Sequence, residues 1–229
     1  MTKLTFLGHS AFLLEGGRGS VLIDPFLTGN STAACSADDL SPQTILLTHA
    51  HNDHVGDTIA IAKRTNAKVI ATYELATWLG WKGVGNATGG NMGGTIAFDG
   101  GTVKFVPAWH TSSFMEGESF VAPGVPAGLI VTFGDRTIYF AGDTCLFGDM
   151  SLIGEAGLDV AVLPIGDNFT MGPAEAARAT RLLKATTVIP CHYNTFPQIK
   201  QDPNEFKRLV EEQGVSTCVV LQPGASHQL

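Results

Sequence analysis

The first part of the chain alternates apolar and polar positions in short runs that read as β-strands. Residues 3–7, 11–15 and 20–23 are such runs, parted by turns at Gly8-His9-Ser10 and Gly16-Gly17. Residues 44–47 (Thr-Ile-Leu-Leu) are a short, nearly continuous apolar run, as a buried strand requires. Helix-like spacing follows over 57–65, then a strand over 68–71 and a short helix over 73–79. Gly and Asn dominate 83–94, which reads as loop. Strands at 95–98 and 102–107 flank Asp99-Gly100-Gly101, a hairpin signal, and a second hairpin joins 129–133 to 137–141 around Gly134-Asp135. Between them, 111–126 mixes Gly, Pro, Ser and aromatics and reads as one long loop.

After residue 158 strands and helices alternate: strand 159–163, helix 173–183, strand 187–190, helix 203–213, strand 216–221. Pro173 suits the first turn of its helix, and Glu175 is favourably placed against the helix dipole. Many strands first, then strand–helix units, predict two sheets packed face to face with helices outside. That is a four-layer αββα sandwich formed by residues 1–229 as a single domain.

Composition narrows the class. The 229 residues are 44% apolar and 15% charged, enough to bury a core, and the 27 glycines imply many tight turns. The net charge of −7 comes without any Lys/Arg cluster, which argues against a nucleic-acid partner. A small anionic substrate stays compatible, because bound divalent ions make a site locally positive. The opening Met1-Thr2-Lys3-Leu4 lacks the layout of a signal peptide. No apolar run nears the roughly 18 residues that span a membrane, so stable membrane insertion is not expected. Cys35, Cys145, Cys191 and Cys218 are scattered, as expected of free thiols in a reducing cytoplasm.

Three of the seven histidines share one segment after a strand, Thr48-His49-Ala50-His51-Asn52-Asp53-His54. In an extended stretch alternate residues face one side, so His49, His51 and Asp53 can converge. A turn before the next helix brings His54 to the same pocket. Three imidazoles and a carboxylate make a poor core, since each would need a polar partner. They make a good ligand set for zinc or a similar metal. Further ligand-type residues stand just past predicted strands: His110, Asp143 and His192.

The order HxHxDH, then His, then Asp, then His resembles the metallo-β-lactamase superfamily, and the resemblance spans nearly the whole chain. Leu7-Gly8-His9-Ser10-Ala11-Phe12 and Leu22-Ile23-Asp24-Pro25-Phe26 look like motifs of a bacterial and archaeal branch. That branch holds uncharacterised metal-dependent hydrolases and relatives of ascorbate-6-phosphate lactonase and N-acylphosphatidylethanolamine phospholipase D. Residues 166–172 and 192–197 look closest to the uncharacterised group. The resemblance implies two divalent ions, zinc first and manganese or another transition metal as alternatives. It implies one ion on His49, His51 and His110, the other on Asp53, His54 and His192, and Asp143 bridging. Asp at 143 rather than Cys, and His at 51 rather than Glu, favour hydrolysis over redox chemistry. The added domains of other branches are not expected in this chain. The family often assembles, so a homo-oligomer is compatible, although the chain shows no interface signature.

The expected activity is hydrolysis of a small ester or lactone by hydroxide generated at the metals. A phosphodiesterase acting on a small or lipid-like phosphodiester is the alternative, and a non-catalytic metal-binding protein ranks lower. Asp53 is expected to orient the nucleophile and move its proton, and Asp24 to fix a ligating imidazole from behind. The resemblance places His9 at the site mouth, facing substrate. Asn168 and Asn194 are candidate hydrogen-bond donors to a developing oxyanion. The loop 111–126 is a candidate lid lined by Phe114, Met115 and Phe120. Cys145 reads as a buried inert thiol, and His227 as a bystander in a mobile tail.

Overall fold

The computed structural model describes residues 2–229. The chain opens with an antiparallel meander of β1 (Lys3–Gly8), β2 (Ala11–Gly16) and β3 (Gly19–Ile23). Next come β4 (Thr44–Leu46), α1 (Asn52–Val55), α2 (Thr58–Thr65), β5 (Lys68–Thr72), α3 (Tyr73–Trp81) and β6 (Ala87–Gly90). The middle holds β7 (Thr95–Phe98), β8 (Gly101–Pro107), β9 (Phe114–Glu116), β10 (Ser119–Val121), β11 (Ala127–Phe133) and β12 (Arg136–Phe140). The last part runs α4 (Met150–Gly154), β13 (Val160–Pro164), α5 (Pro173–Leu183), β14 (Thr187–Cys191), α6 (Pro203–Glu211), β15 (Thr217–Cys218) and β16 (Ser226–Gln228).

Two seven-stranded sheets result, in the orders β16-β1-β2-β3-β4-β5-β6 and β15-β14-β13-β12-β11-β8-β7. Their facing surfaces share one core. Phe6, Phe12, Leu14, Ile23 and Leu46 of the first sheet meet Phe105, Leu129, Phe133, Phe140 and Ile189 of the second. A second apolar cluster lies under α4, α5 and α6, and a third under α2 and α3. Helices thus cover both outer faces, and the αββα sandwich is the architecture of the chain.

Several segments differ from the sequence expectation. Within the glycine-rich 83–94, Ala87–Gly90 pairs in parallel with β5. Glycine is needed there: a Cβ on Gly89 would sit 2.7 Å from Tyr73 Cα, and one on Gly90 2.5 Å from the Phe105 ring. The stretch 111–126 is not all loop but carries the β9–β10 hairpin. The strand expected over 216–221 is just Thr217–Cys218, and the C-terminal tail is not loose, because β16 pairs with β1 and sets His227 opposite Leu4. Among the described residues no helix is long and apolar enough to cross a membrane.

Strand direction positions the site. β3, β4, β5 and β6 run parallel, as do β12, β13, β14 and β15. Asp24 follows β3, His49 lies just beyond β4, Asp143 beyond β12, and His192 follows β14. His9 and His110 follow β1 and β8, which the antiparallel pairings orient the same way. Ligand-type side chains therefore gather at the carboxyl edge of both sheets, where open α/β sheets bind ligands.

Candidate metal centre

Across that edge the two halves are tied together by main-chain N–H donors. Ala127 N–H donates to Thr48 O at 2.9 Å, Ala50 N–H to Ser112 Oγ at 3.1 Å, and His192 N–H to His9 O at 2.8 Å. Gly142, at φ +60°, lets the Asp143 segment pass Thr48, since a Cβ there would lie 2.8 Å from Thr48 Cβ.

Two groups of four ligand-type residues form where these ties meet, each with its donor atoms within 4.8 Å of one another. One is His49, His51, His110 and Asp143; the other is His9, Asp53, His54 and His192. Asp143 lies between the groups. Its Oδ1 is 3.3 Å from His54 Nε2, and its Oδ2 is 3.0 Å from His192 Nε2 and 3.5 Å from His110 Nε2.

Asp24 and Thr48 set the orientation of two imidazoles. Asp24 Oδ1 accepts from Thr48 N–H at 2.9 Å, and its Oδ2 accepts from Thr48 Oγ1 at 2.6 Å and from His54 Nδ1 at 2.8 Å. With its proton committed to Asp24, the Thr48 hydroxyl accepts from His49 Nδ1 at 3.0 Å. Both rings therefore present unprotonated-capable Nε2 atoms to the centre, the arrangement expected behind a ligating histidine. His49 Nε2 stands 2.9 Å from His51 Nδ1, and Thr111 Oγ1 is 3.3 Å from His51 Nε2.

Electrostatics separates the members. Burial pushes His49 well below the usual imidazole range, and the neighbouring His54 adds to it. His51 and His110 are lowered as well, chiefly by burial. Burial also opposes a charge on His54, but the carboxylates of Asp143 and Asp24 outweigh it and raise this imidazole well above its usual value. Asp143 is held well below the carboxylate range: burial opposes ionisation, and His192 and His54 overcome it. Asp53 is lowered in the same sense, its burial offset by the His9 hydrogen bond and by His54. Burial lowers His9 to about 4 despite its bond to Asp53.

The donor set fits a metal. His54 Nε2, Asp143 Oδ1 and His192 Nδ1 are buried without a hydrogen-bond partner. Buried polar atoms rarely stay unsatisfied. A cation between His54 Nε2 and Asp143 Oδ1 would give both the partner they lack. All-imidazole and carboxylate donors suit zinc, manganese or iron better than a hard, all-oxygen ion such as calcium.

Other expected site residues fall elsewhere. His9 is buried, not at the mouth; its Nε2 meets Asp53 Oδ2 at 3.1 Å and its Nδ1 meets Thr195 Oγ1 at 2.9 Å. Phe114 does not line the cavity. It is buried against α3, its ring centroid 4.4 Å from that of Trp78. Of segment 111–126, Thr111 alone lines the cavity at the histidines, while Met115 and Phe120 are exposed. Asn194 is a turn residue at φ +60°, its Oδ1 taken by Gln201 N–H at 2.9 Å. Asn168, at φ +33°, is exposed and outside the cavity wall. The tight turn it shares with Asp167 instead presents Phe169, which the sequence reading passed over. Cys145 is exposed rather than buried. The cavity, about 280 Å³, is lined by His51, Asp53, His110, Thr111, Asp143, Phe169, His192 and Phe196. Phe169 and Phe196 were not signalled by sequence, because an aromatic in a loop does not reveal which way it faces.

A His/Asp donor set at the carboxyl edge of an αββα sandwich defines the metal-dependent hydrolases of the metallo-β-lactamase fold. Residues 20–193 match a family described as the beta-lactamase superfamily domain. A UPF0173 metal-dependent hydrolase of Geobacillus thermodenitrificans (strain NG80-2) is 52% identical over 229 residues, 99% of this chain and 100% of that protein. One from Methanopyrus kandleri is 49% identical over 228 residues, 99% of each chain. Among solved structures, Igni18, a metallo hydrolase from the archaeon Ignicoccus hospitalis KIN4/I, superposes with a TM-score of 0.89 at 38% identity, covering 100% of this chain and 99% of that one. The chain belongs to the metallo-β-lactamase superfamily and, within it, to the UPF0173 metal-dependent hydrolases.

Proposed function

We propose that the centre holds two divalent ions, zinc first and manganese or another transition metal as alternatives, and hydrolyses a small ester or lactone. His49, His51 and His110 hold one ion, Asp53, His54 and His192 the other, and Asp143 is shared. The carrying observation is the position of Asp143, with oxygens 3.3 Å from His54, 3.0 Å from His192 and 3.5 Å from His110. When bound, such ions lower the pKa of water to about 7 and polarise a carbonyl or phosphoryl oxygen.

The residues supply the rest. Asp53 lines the cavity as an ionised carboxylate, placed to orient the attacking water and accept its proton. Thr111 offers a hydroxyl at the rim, where it can bond a substrate oxygen. Phe169 and Phe196 wall the cavity and exclude bulk water, which strengthens the interactions inside. Among the described residues no Lys or Arg lines it. A neutral carbonyl substrate with an apolar part fits these walls better than a group that keeps its negative charge throughout. The apolar walls also favour a second reading, a lipid-like phosphodiester whose tail lies against Phe169 and Phe196.

Initial rates on matched panels of lactones, esters and phosphodiesters with zinc-loaded protein test the proposal. Turnover led by lactones or esters and lost in Asp53→Asn is the expected result. Turnover led by phosphodiesters would replace it with the second reading, and rates untouched by Asp53→Asn would remove Asp53 from the proton path.

A further inference from the structure

His9 is the one member of the second donor group whose two ring nitrogens both already have partners. Nδ1 lies 2.9 Å from Thr195 Oγ1 and Nε2 lies 3.1 Å from Asp53 Oδ2. The ring is buried, packed against His192 at 4.2 Å between centroids and edge-on to Phe26 and Phe196 at 5.6 and 5.4 Å. Its backbone is committed as well: φ is +56°, and its carbonyl accepts from His192 N–H at 2.8 Å. The turn between β1 and β2 thus grips two residues of that group, Asp53 through a side chain and His192 through the main chain.

The hydroxyl of Thr195 can donate or accept, so it permits either tautomer of His9. Asp53 does not. A carboxylate oxygen is an acceptor, and an imidazole nitrogen facing it at 3.1 Å must carry the proton. A nitrogen that carries a proton has no lone pair for a metal. The residue therefore sits among the ligand-type side chains without being able to serve as one while Asp53 is in place.

We infer that His9 is a positioning residue and not a ligand: its ring, anchored at Nδ1 by Thr195, donates its Nε2–H to Asp53 Oδ2 and fixes the orientation of that carboxylate. This rests on the two-ion reading above and explains why His9, although it stands in the second group of ligand-type residues, is not among that ion's donors. Loss of such a supporting partner typically weakens metal affinity by about 10–100-fold. Glutamine can place an N–H close to the Nε2 position, whereas alanine cannot.

The test is zinc stoichiometry and affinity by chelator competition on the intact chain, for the parent, His9→Gln, His9→Ala and His54→Ala, with a thermal melt on each. The parent is expected to bind two ions. His54→Ala should lose one of them, His9→Ala should bind it about 10–100-fold more weakly, and His9→Gln should stay within about threefold of the parent. Long-range ¹H–¹⁵N correlation spectra on the same zinc-loaded parent should show His9 as the Nε2–H tautomer. A His9→Gln chain that loses the ion as fully as His54→Ala, or an Nδ1–H tautomer in the zinc form, would make His9 a ligand and overturn the inference. Unchanged affinity in a folded His9→Ala would overturn it too. A parent that binds a single ion would instead overturn the two-ion reading, and this inference with it.

Discussion

The two donor groups differ in what stands behind them. In the second, His54 is backed by the Asp24 carboxylate at 2.8 Å, Asp53 by His9 at 3.1 Å, and His192 by a backbone bond to His9. In the first, His49 leans on a hydroxyl, Thr48, His51 meets Thr111 at 3.3 Å, and His110 is part-exposed beside Asp143. One half of the centre is held by several buried partners, the Asp24 carboxylate among them; the other leans on hydroxyls and is lightly held. Rigid support fixes ligand geometry, and both groups face the cavity, through His51 and His110 on one side and Asp53 and His192 on the other.

Asp143 joins the halves, so removing it should have the largest effect. Asp143→Ala is expected to abolish detectable hydrolysis and to weaken both ions, measured by zinc content after gel filtration; retention of two ions would show that the groups are independent. Next comes the buried support. Asp24→Ala leaves His54 Nδ1 and Thr48 N–H without their acceptor, and breaking a buried ion pair costs about 3–5 kcal/mol. A lower unfolding free energy and selective loss of the second ion should follow, while an equal loss from both groups would erase the contrast.

Acid should separate the halves more gently. In the metal-free chain His54 is raised well above its usual value and must release a proton to bind metal. His49, His51 and His110 are lowered and already neutral near pH 7. Affinity at the second group should therefore rise with pH toward the raised His54 value. The first group should stay nearly flat from about pH 7 upward. Acidification from about pH 8 to about pH 6 should release the second ion first, as read by metal titration at each pH; the reverse order would contradict the assignment of charge. The smallest effect concerns the cavity wall. Phe169→Ala should raise KM about tenfold for substrates with an apolar part, equivalent to about 1.4 kcal/mol, and leave short-chain substrates nearly unchanged. Equal change for both would take Phe169 out of specificity.

The same contrast explains what the sequence disclosed. His49, His51, Asp53 and His54 lie within six consecutive positions, so local geometry alone nearly assembles them. His110, Asp143 and His192 each follow a strand whose type was readable, yet their meeting depends on β8, β12 and β14 ending at one edge, a property of the whole topology. The strand β6 stayed hidden because Ala-Thr-Gly-Gly carries no strand preference; its glycines answer to Tyr73 and Phe105, residues distant in sequence. β16, Ser-His-Gln, has no apolar alternation and forms by edge pairing to β1. Phe114 was misplaced for a related reason: its hairpin turns the ring onto Trp78 of α3, and no local pattern reports that. The resemblance puts His9 at the site mouth, but its buried, inward position follows from a left-handed turn against the loop after β14.

The central claim is that one carboxylate joins two metal-binding halves. Anomalous diffraction at the zinc edge, from crystals grown with zinc, tests it most directly. Two peaks on either side of Asp143, each bounded by its own histidines, are the predicted result; a single peak, or a second one that Asp143 does not touch, would contradict it.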